Sequence, residues 1–333
     1  MKESSQSQTE FGRIAVVDCG TNLFTMLVAQ ANSSGWQPEF VLRRPVFIGQ
    51  GGFQSRNILS NRFARGLDAL RVLHQAAMNY GVNHIRVIGT SALRDAHNGQ
   101  DFATRVQREL GWNLEVISGE QEARWIQFGV ALTLEEVQGP VLIMDIGGGS
   151  VEFIVTDRDA GSWTVLEWMS LDIGVGRLEE FGKPTDPLTT EGEQRYTAYL
   201  TEVLAPVRKA IERFNPRALV GSSGSFDTFA DLLHESGLPV PASKPSGIQR
   251  LERHRMEALH AQLISLPLDA RLKLHGMAPS RARLIPLSSM LVQHVVRNLP
   301  TDAEILRSPY ALREGVMQTI WQHLCSLNDS PSA

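Results

Sequence analysis

An aspartate-led, glycine-rich turn occurs twice in this chain, and the repetition restricts what the chain can fold into. The first copy reads Val17-Asp18-Cys19-Gly20-Thr21-Asn22, the second Met144-Asp145-Ile146-Gly147-Gly148-Gly149-Ser150. Each follows an apolar run of strand character, Ile14 to Val17 and Val141 to Met144, and each leads into a second apolar run. The pattern predicts a β-hairpin whose turn lacks side-chain bulk, so that its backbone N–H groups can close around a phosphate oxygen. An aspartate facing the same anion calls for a divalent cation between them. One Asp-x-Gly alone is ordinary turn chemistry. Two copies, each after a lobe-opening strand, favour a pair of related lobes gripping a polyanion and its metal.

At 333 residues the chain is long enough for two domains with separate cores. A net charge of −4 excludes a global attraction to nucleic acid or an anionic membrane, so an anion site must be a local positive focus. Cys19 and Cys325 are too few for a disulfide framework, and a reducing cytoplasm is the expected compartment. No apolar run approaches the roughly 20 residues of a membrane span. Residues 1–10 are polar, lack a signal-peptide core and are expected to form a disordered tail.

The order of elements is similar in both halves. Strands are expected at Ile14–Val17, Leu23–Ala29 and Phe40–Phe47, then a helix near Asn61–Asn79 and a strand at Ile85–Ile88. A helix at Gln100–Leu110, a strand at Leu114–Ile117 and a helix at Gly119–Leu132 complete the first half. The second half opens with strands at Val141–Met144, Glu152–Thr156 and Thr164–Met169, then a helix over Glu193–Phe214. A strand at Ala218–Val220, several helices, a strand at Ala303–Leu306 and a helix after Ala311 follow. Three strands, helix, strand, helix, strand, helix, stated twice, is a duplicated ribonuclease-H-like lobe. The α/β architecture resembles that of actin, sugar kinases and heat-shock chaperones, with the ligand in an interlobe cleft. The expected boundaries are 11–135 for the first lobe and 136–311 for the second, with a helical insertion at about 248–297. A C-terminal helix at 312–327 is expected near the lobe junction, with a tail at 328–333 and a surface loop at Pro239–Gly247.

Several side chains fit chemistry on an anion. Glu152 lies among Val151, Phe153, Ile154 and Val155. A carboxylate in so apolar a strand needs a cation or hydrogen bonds, and a metal shared with Asp145 would supply one. Ser118 and Gln121 form a capping box that starts a helix, which puts Glu122 in its first turns beside an apolar face. Partial desolvation there raises a carboxyl toward a useful general base. Glu120 fits simple complementation of the helix dipole, Glu122 less well. Thr90-Ser91-Ala92-Leu93-Arg94-Asp95-Ala96, past a strand end, offers hydroxyls and an arginine as an anion clamp. Gly221-Ser222-Ser223-Gly224-Ser225, between a strand and a helix, is a second phosphate- or nucleotide-type loop. Nine histidines show no metal-binding spacing.

Together these segments resemble the exopolyphosphatase / guanosine pentaphosphate phosphohydrolase (Ppx/GppA) family in its short two-domain form. The carrying motifs are DCGTN (18–22), GTSALRDA (89–96), ISGEQEAR (117–124), DIGGGSVEF (145–153), SLDIGVGRLEE (170–180), GSSGS (221–225) and YALREG (310–315). The resemblance implies a metal-dependent hydrolase that releases terminal orthophosphate from inorganic polyphosphate, with guanosine pentaphosphate as a further substrate. By that resemblance Glu122 matches the catalytic base, and Asp18, Asp145 and Glu152 match acidic positions associated with Mg2+ or another hard divalent cation. Gly20, Thr21, Asn22, Ser91, Arg94, Gly147, Gly148, Gly149, Ser150 and Gly221, Ser222, Ser223, Gly224, Ser225 are the expected phosphate-binding positions. A homodimer is implied by the resemblance alone.

The chain departs from the family where Leu23, Phe24 and Thr25 stand in place of a small hydroxyl residue, Phe and a basic residue. Phe47 likewise stands where a basic or polar side chain is usual. These changes remove polar or basic groups from the first lobe. They motivate an alternative reading, a weakly active or non-catalytic sensor of polyphosphate or nucleotide on the same fold.

Overall fold

The computed structural model describes residues 10–135, 137–235 and 247–328. The expected tails at 1–10 and 328–333, and the loop expected at Pro239–Gly247, lie almost wholly outside these residues. The chain forms two compact units, one of residues 10–117 with 313–328, the other of 118–312. No helix among the described residues is long and apolar enough to cross a membrane.

The first unit is built on β1 (Glu10–Cys19), β2 (Leu23–Asn32), β3 (Gly35–Pro45), β4 (Val82–Gly89) and β5 (Leu114–Val116), in the order β3-β2-β1-β4-β5. The hairpin strands pair antiparallel, whereas β1–β4 and β4–β5 are parallel. Central β1 is flanked on both sides, and Ile14 to Val17 are accordingly fully buried. Edge strand β3 alternates instead, and it tolerates Pro38 and Pro45 because an edge needs fewer ladder donors. It ends at Pro45, two residues before the expected end. Phe47 therefore lies outside the sheet, in the left-handed region at φ 51°.

Helices α1 (Ser60–Asn79), α2 (Ser91–Asp95) and α3 (Gly99–Leu110) belong to this unit. Leu67, Leu70 and Leu73 of α1 and Phe102 and Val106 of α3 share a core with Val17, Phe24, Met26 and Val28. Helix α12 (Leu312–Asn328) joins the same unit from Arg313 onward. There Trp321 Nε1 donates to Asn32 O, and Trp36 Nε1 donates to Gln318 Oε1, both at 2.8 Å.

The second unit repeats the plan with β6 (Val141–Ile146), β7 (Val151–Asp159), β8 (Ser162–Leu171), β9 (Ala218–Ser222), β10 (Gln249–Arg250) and β11 (Glu304–Arg307). Their order is β10-β11-β9-β6-β7-β8. Strands β6–β7–β8 are antiparallel, and β9 joins β6 and β11 in parallel. Two ribonuclease-H-like lobes of the actin, sugar kinase and heat-shock chaperone architecture result.

Helix α4 (Gly119–Ala131) packs on β7 and β8, so it belongs to the second unit although the expected boundary at 135 gave it to the first. Helix α5 (Val175–Gly182) was not foreseen. The helix expected over 193–214 is two, α6 (Thr190–Val203) and α7 (Ala205–Phe214), broken at Leu204 because Pro206 opens the second. Helix α8 (Ser223–Glu235) begins inside the GSSGS segment. The insertion contains α9 (Arg253–Ser265), α10 (Leu268–Arg271) and α11 (Ile285–Val296), and also short β10, which pairs antiparallel with β11.

Candidate functional site

The two glycine turns are built alike. In the first hairpin Cys19 pairs with Phe24, and in the second Ile146 pairs with Val151. Residues 20–23 and 147–150 thus occupy equivalent loops, with Asp18 and Asp145 equivalent just before them. In each unit the segment after the third strand donates N–H groups to the turn's carbonyls. Val46 N and Phe47 N donate to Asn22 O at 2.9 and 3.0 Å, and Ile48 N donates to Thr21 O at 2.8 Å. Gly174 N, Val175 N and Gly176 N donate to Gly149 O, Gly147 O and Gly148 O at 3.2, 3.1 and 2.8 Å.

A trans peptide points its C=O and the following N–H in opposite directions. With these carbonyls held, the N–H groups of Gly148, Gly149 and Ser150 face the other way and take no acceptor among the described residues. Three successive amides turned to one side form an anion-binding concavity. Gly147 differs from its neighbours, because its N–H already donates to Ser150 O at 3.0 Å. Its part in the turn is structural.

A row of four residues crosses the second sheet beside this turn. Asp145 is in register with Ser222 of β9 and Glu152 of β7, and Glu152 with Ser170 of β8. Ser222 Oγ donates to Asp145 Oδ2 and Ser170 Oγ to Glu152 Oε1, each at 2.8 Å. Both carboxylates are buried, Asp145 at 7% and Glu152 at 1% exposure. Directly opposed residues in an antiparallel pair have Cβ atoms roughly 5 Å apart, so two carboxylates lie side by side in low-dielectric surroundings. That donor set fits a magnesium ion, which takes one or two protein carboxylates and fills its shell with water and phosphate oxygens. Among the described residues no three His, Cys, Asp or Glu are gathered so as to hold a metal by themselves.

Helix α4 covers the same face of the sheet. Ser118 caps it, its Oγ accepting from Gln121 N at 3.1 Å. Gly119 lies against Ser170, where a Cβ would come within 2.9 Å of the serine Cβ. Farther along, Gln127 Nε2 donates to Thr156 Oγ1 at 3.3 Å. Glu122 is three residues past Gly119, about 4.5 Å along the axis, on the sheet-facing side. It is buried, whereas Glu120 is exposed and pairs with Arg124 at 2.8 Å. The contrast expected between the two glutamates is thus one of helix face.

The GSSGS segment divides its labour. Ser222 serves Asp145, and Ser225 is buried with its hydroxyl on Ser288 Oγ at 3.0 Å. Gly221 leaves room for the Phe226 ring. Ser223 adopts φ 64° where β9 turns into α8, a conformation that side chains seldom take. The Arg281 guanidinium lies against Gly224, where any Cβ would collide with it. Arg281 was missed in the sequence because it sits in the insertion, far from every glycine motif.

In the first unit, Asp18 Oδ1 lies 3.7 Å from where a Gly20 Cβ would stand. Burial, and then the Asp18 charge, push the Cys19 thiol up, so it stays protonated. Thr90 N donates to Cys19 O at 3.4 Å, which sets α2 beside the turn. Ser91 is buried and donates to Asp95 Oδ2 at 3.0 Å, and Arg94 Nη1 donates to Ile117 O at 3.3 Å. Asp18, Gly20, Thr21, Asn22, Ser91 and Arg94 belong to this unit, and Glu122, Asp145, Glu152 and the second glycine turn to the other.

Comparison with known proteins gives the family and the fold. Residues 27–323 match the Ppx/GppA phosphatase family. A guanosine-5'-triphosphate,3'-diphosphate pyrophosphatase of Aliivibrio fischeri is 28% identical over 312 residues, 93% of this chain and 60% of the relative. That of Aeromonas salmonicida is 26% identical over 326 residues, 95% and 61% respectively. The chain therefore spans about 60% of the length of these curated relatives. The crystal structure of an exopolyphosphatase from Cytophaga hutchinsonii is 31% identical, with a TM-score of 0.86 over 93% of this chain and 98% of that one. A Ppx/GppA family member from Aquifex aeolicus, at 24% identity and TM-score 0.75, shares the fold over 96% of this chain and 99% of that one.

Proposed function

The chain belongs to the Ppx/GppA phosphatase family, and from that premise we propose that it releases terminal orthophosphate from inorganic polyphosphate. Conversion of guanosine pentaphosphate to the tetraphosphate is the second substrate of the proposal. One observation carries it: the row Ser222–Asp145–Glu152–Ser170, beside a turn with three amides facing one way and under a helix bearing buried Glu122.

Phosphoryl transfer asks chiefly for positioning and neutralisation of charge. Glu122 orients and deprotonates the attacking water, as a carboxylate shielded from solvent is suited to do. The N–H groups of Gly148, Gly149 and Ser150 donate to the oxygens of the phosphoryl group. Asp145 and Glu152 would hold Mg2+ or a similar hard cation. When bound, the cation neutralises phosphate charge. Ser222 and Ser170 keep the two carboxylates oriented.

Phosphate release from short polyphosphate, long polyphosphate and guanosine pentaphosphate, with magnesium, tests the reading. Glu122→Gln is expected to lower turnover by about a hundredfold or more, the size of a general-base contribution. Thr25, at the position opposite Asp18, favours a second reading, a polyphosphate or nucleotide sensor with feeble turnover. Tight binding with equally negligible turnover in wild type and Glu122→Gln decides for the sensor.

A further inference from the structure

Arg177, in the first turn of α5, donates from Nε to Gly149 O at 2.8 Å. That carbonyl also accepts from Gly174 N at 3.2 Å, so it is the most heavily engaged in the turn. The guanidinium approaches on the carbonyl side, behind the face toward which the Gly148, Gly149 and Ser150 amides point. It is only 17% exposed, and Asp172 Oδ1 lies 3.6 Å from its Nη2. A cation so placed cannot reach an anion seated on those amides without leaving its carbonyl.

We propose that Arg177 is a positioning residue that acts on phosphate through the peptide between Gly149 and Ser150. A charged donor on a carbonyl polarises the peptide unit, and the N–H at the other end becomes a stronger donor. Here that N–H belongs to Ser150, itself buried and in need of an acceptor. The positive charge behind the turn is thus relayed to the oxyanion in front of it. The guanidinium also holds the peptide at the angle that keeps the third amide in line with the other two. This inference rests on reading the turn as a phosphate cradle.

The 333-residue chain labelled with nitrogen-15 allows a test whose main readout needs no turnover. On titration of the wild type with orthophosphate, the Gly148, Gly149 and Ser150 amide resonances are expected to shift, Ser150 most. In Arg177→Gln the Ser150 amide proton moves upfield before phosphate is added, while that of Gly148 stays. Half-saturation by orthophosphate rises about tenfold, the loss expected of one charge-assisted hydrogen bond. The magnesium concentration giving half-maximal phosphate release stays unchanged, and Arg177→Lys, which keeps a charged donor, recovers most of the affinity.

A folded Arg177→Gln with the wild-type Ser150 resonance and phosphate affinity overturns the inference, as does a change confined to the magnesium requirement. If Arg177→Gln does not fold, the wild-type titration decides, because a Ser150 amide that shifts less than Gly148 and Gly149 overturns it equally. Absence of phosphate release from any polyphosphate, with the Ser150 shift and affinity loss intact, refutes the proposed activity and leaves the role of Arg177 standing. A titration that moves none of the three amides refutes the cradle and the inference together.

Discussion

Ser170 donates its hydroxyl to Glu152 Oε1 at 2.8 Å, straight across the ladder between β7 and β8. Its other neighbour is Gly119, at the start of the helix that carries Glu122. One serine thus touches both the carboxylate row and the helix of the proposed base. Ser170→Ala is expected to raise the magnesium concentration for half-maximal phosphate release by about tenfold or more, the usual cost of losing the partner that orients a metal-binding carboxylate. Magnesium titration of the two proteins checks this, and superimposable curves would count against it.

Gly174 has φ −57° and ψ 157°, angles open to any residue, so its side chain is excluded by space and not by backbone conformation. A Cβ there would come within 2.5 Å of Gly148 C and of Gly149 N and C. Gly174→Ala must push the turn away from the segment that holds its carbonyls. The expected outcome is a stability loss of about 1–3 kcal/mol, typical of overpacking, with a much larger fall in turnover as the amides lose alignment. Urea unfolding midpoints and kcat measured on the same preparation separate the two effects.

Both hairpins were legible because apolar runs stopping at Asp-x-Gly leave little besides a strand, a tight turn and a returning strand. The capping box of α4 was equally legible, since Ser118 and Gln121 act within one turn. What escaped notice depends on contacts between distant segments. Nothing near Ser170, Arg177 or Arg281 in the chain says that their partners are Glu152, Gly149 and Gly224. The packing of α4 on the second unit was hidden for the same reason, because only its buried face against β7 and β8 reveals it. The break at Leu204 was readable from Pro206, but the apolar spacing of Val207, Ala210 and Ile211 continued smoothly past it.

Thr25 stands opposite Asp18 in the first hairpin as Glu152 stands opposite Asp145 in the second. The duplicated hairpins thus carry one cross-strand carboxylate pair, in the second unit. A threonine is a weak partner for a cation, and Thr25 is buried between Phe24 and Met26. Thr25→Val is expected to leave phosphate release within about threefold of wild type, because the lost hydroxyl carries no charge that could neutralise phosphate. Glu152→Gln is expected to lower it by about a hundredfold or more, through loss of the charge that neutralises phosphate. Equal losses in the two variants would mean that the hairpins contribute alike despite their different residues.

His260 predicts how stability responds to acid. Ser289 Oγ donates to Pro286 O at 2.8 Å, so its oxygen is left to accept from His260 Nδ1 at 2.9 Å. The imidazole therefore carries a proton on Nδ1. Burial, and then the charge of Arg297, lower its pKa from 6.5 to about 4. The folded state resists a proton that the unfolded chain accepts, so stability rises with pH between about 4 and 6.5 and is lost as pH falls through that window. The loss amounts to something on the order of 3 kcal/mol when complete. His260→Gln keeps a donor for Ser289 and cannot titrate. The difference in unfolding free energy between wild type and variant should therefore be largest at pH 7 and shrink toward pH 4. A difference that stays constant across that range would mean that the imidazole is protonated in place, and the assignment of the Nδ1 proton to a neutral ring would fail with it.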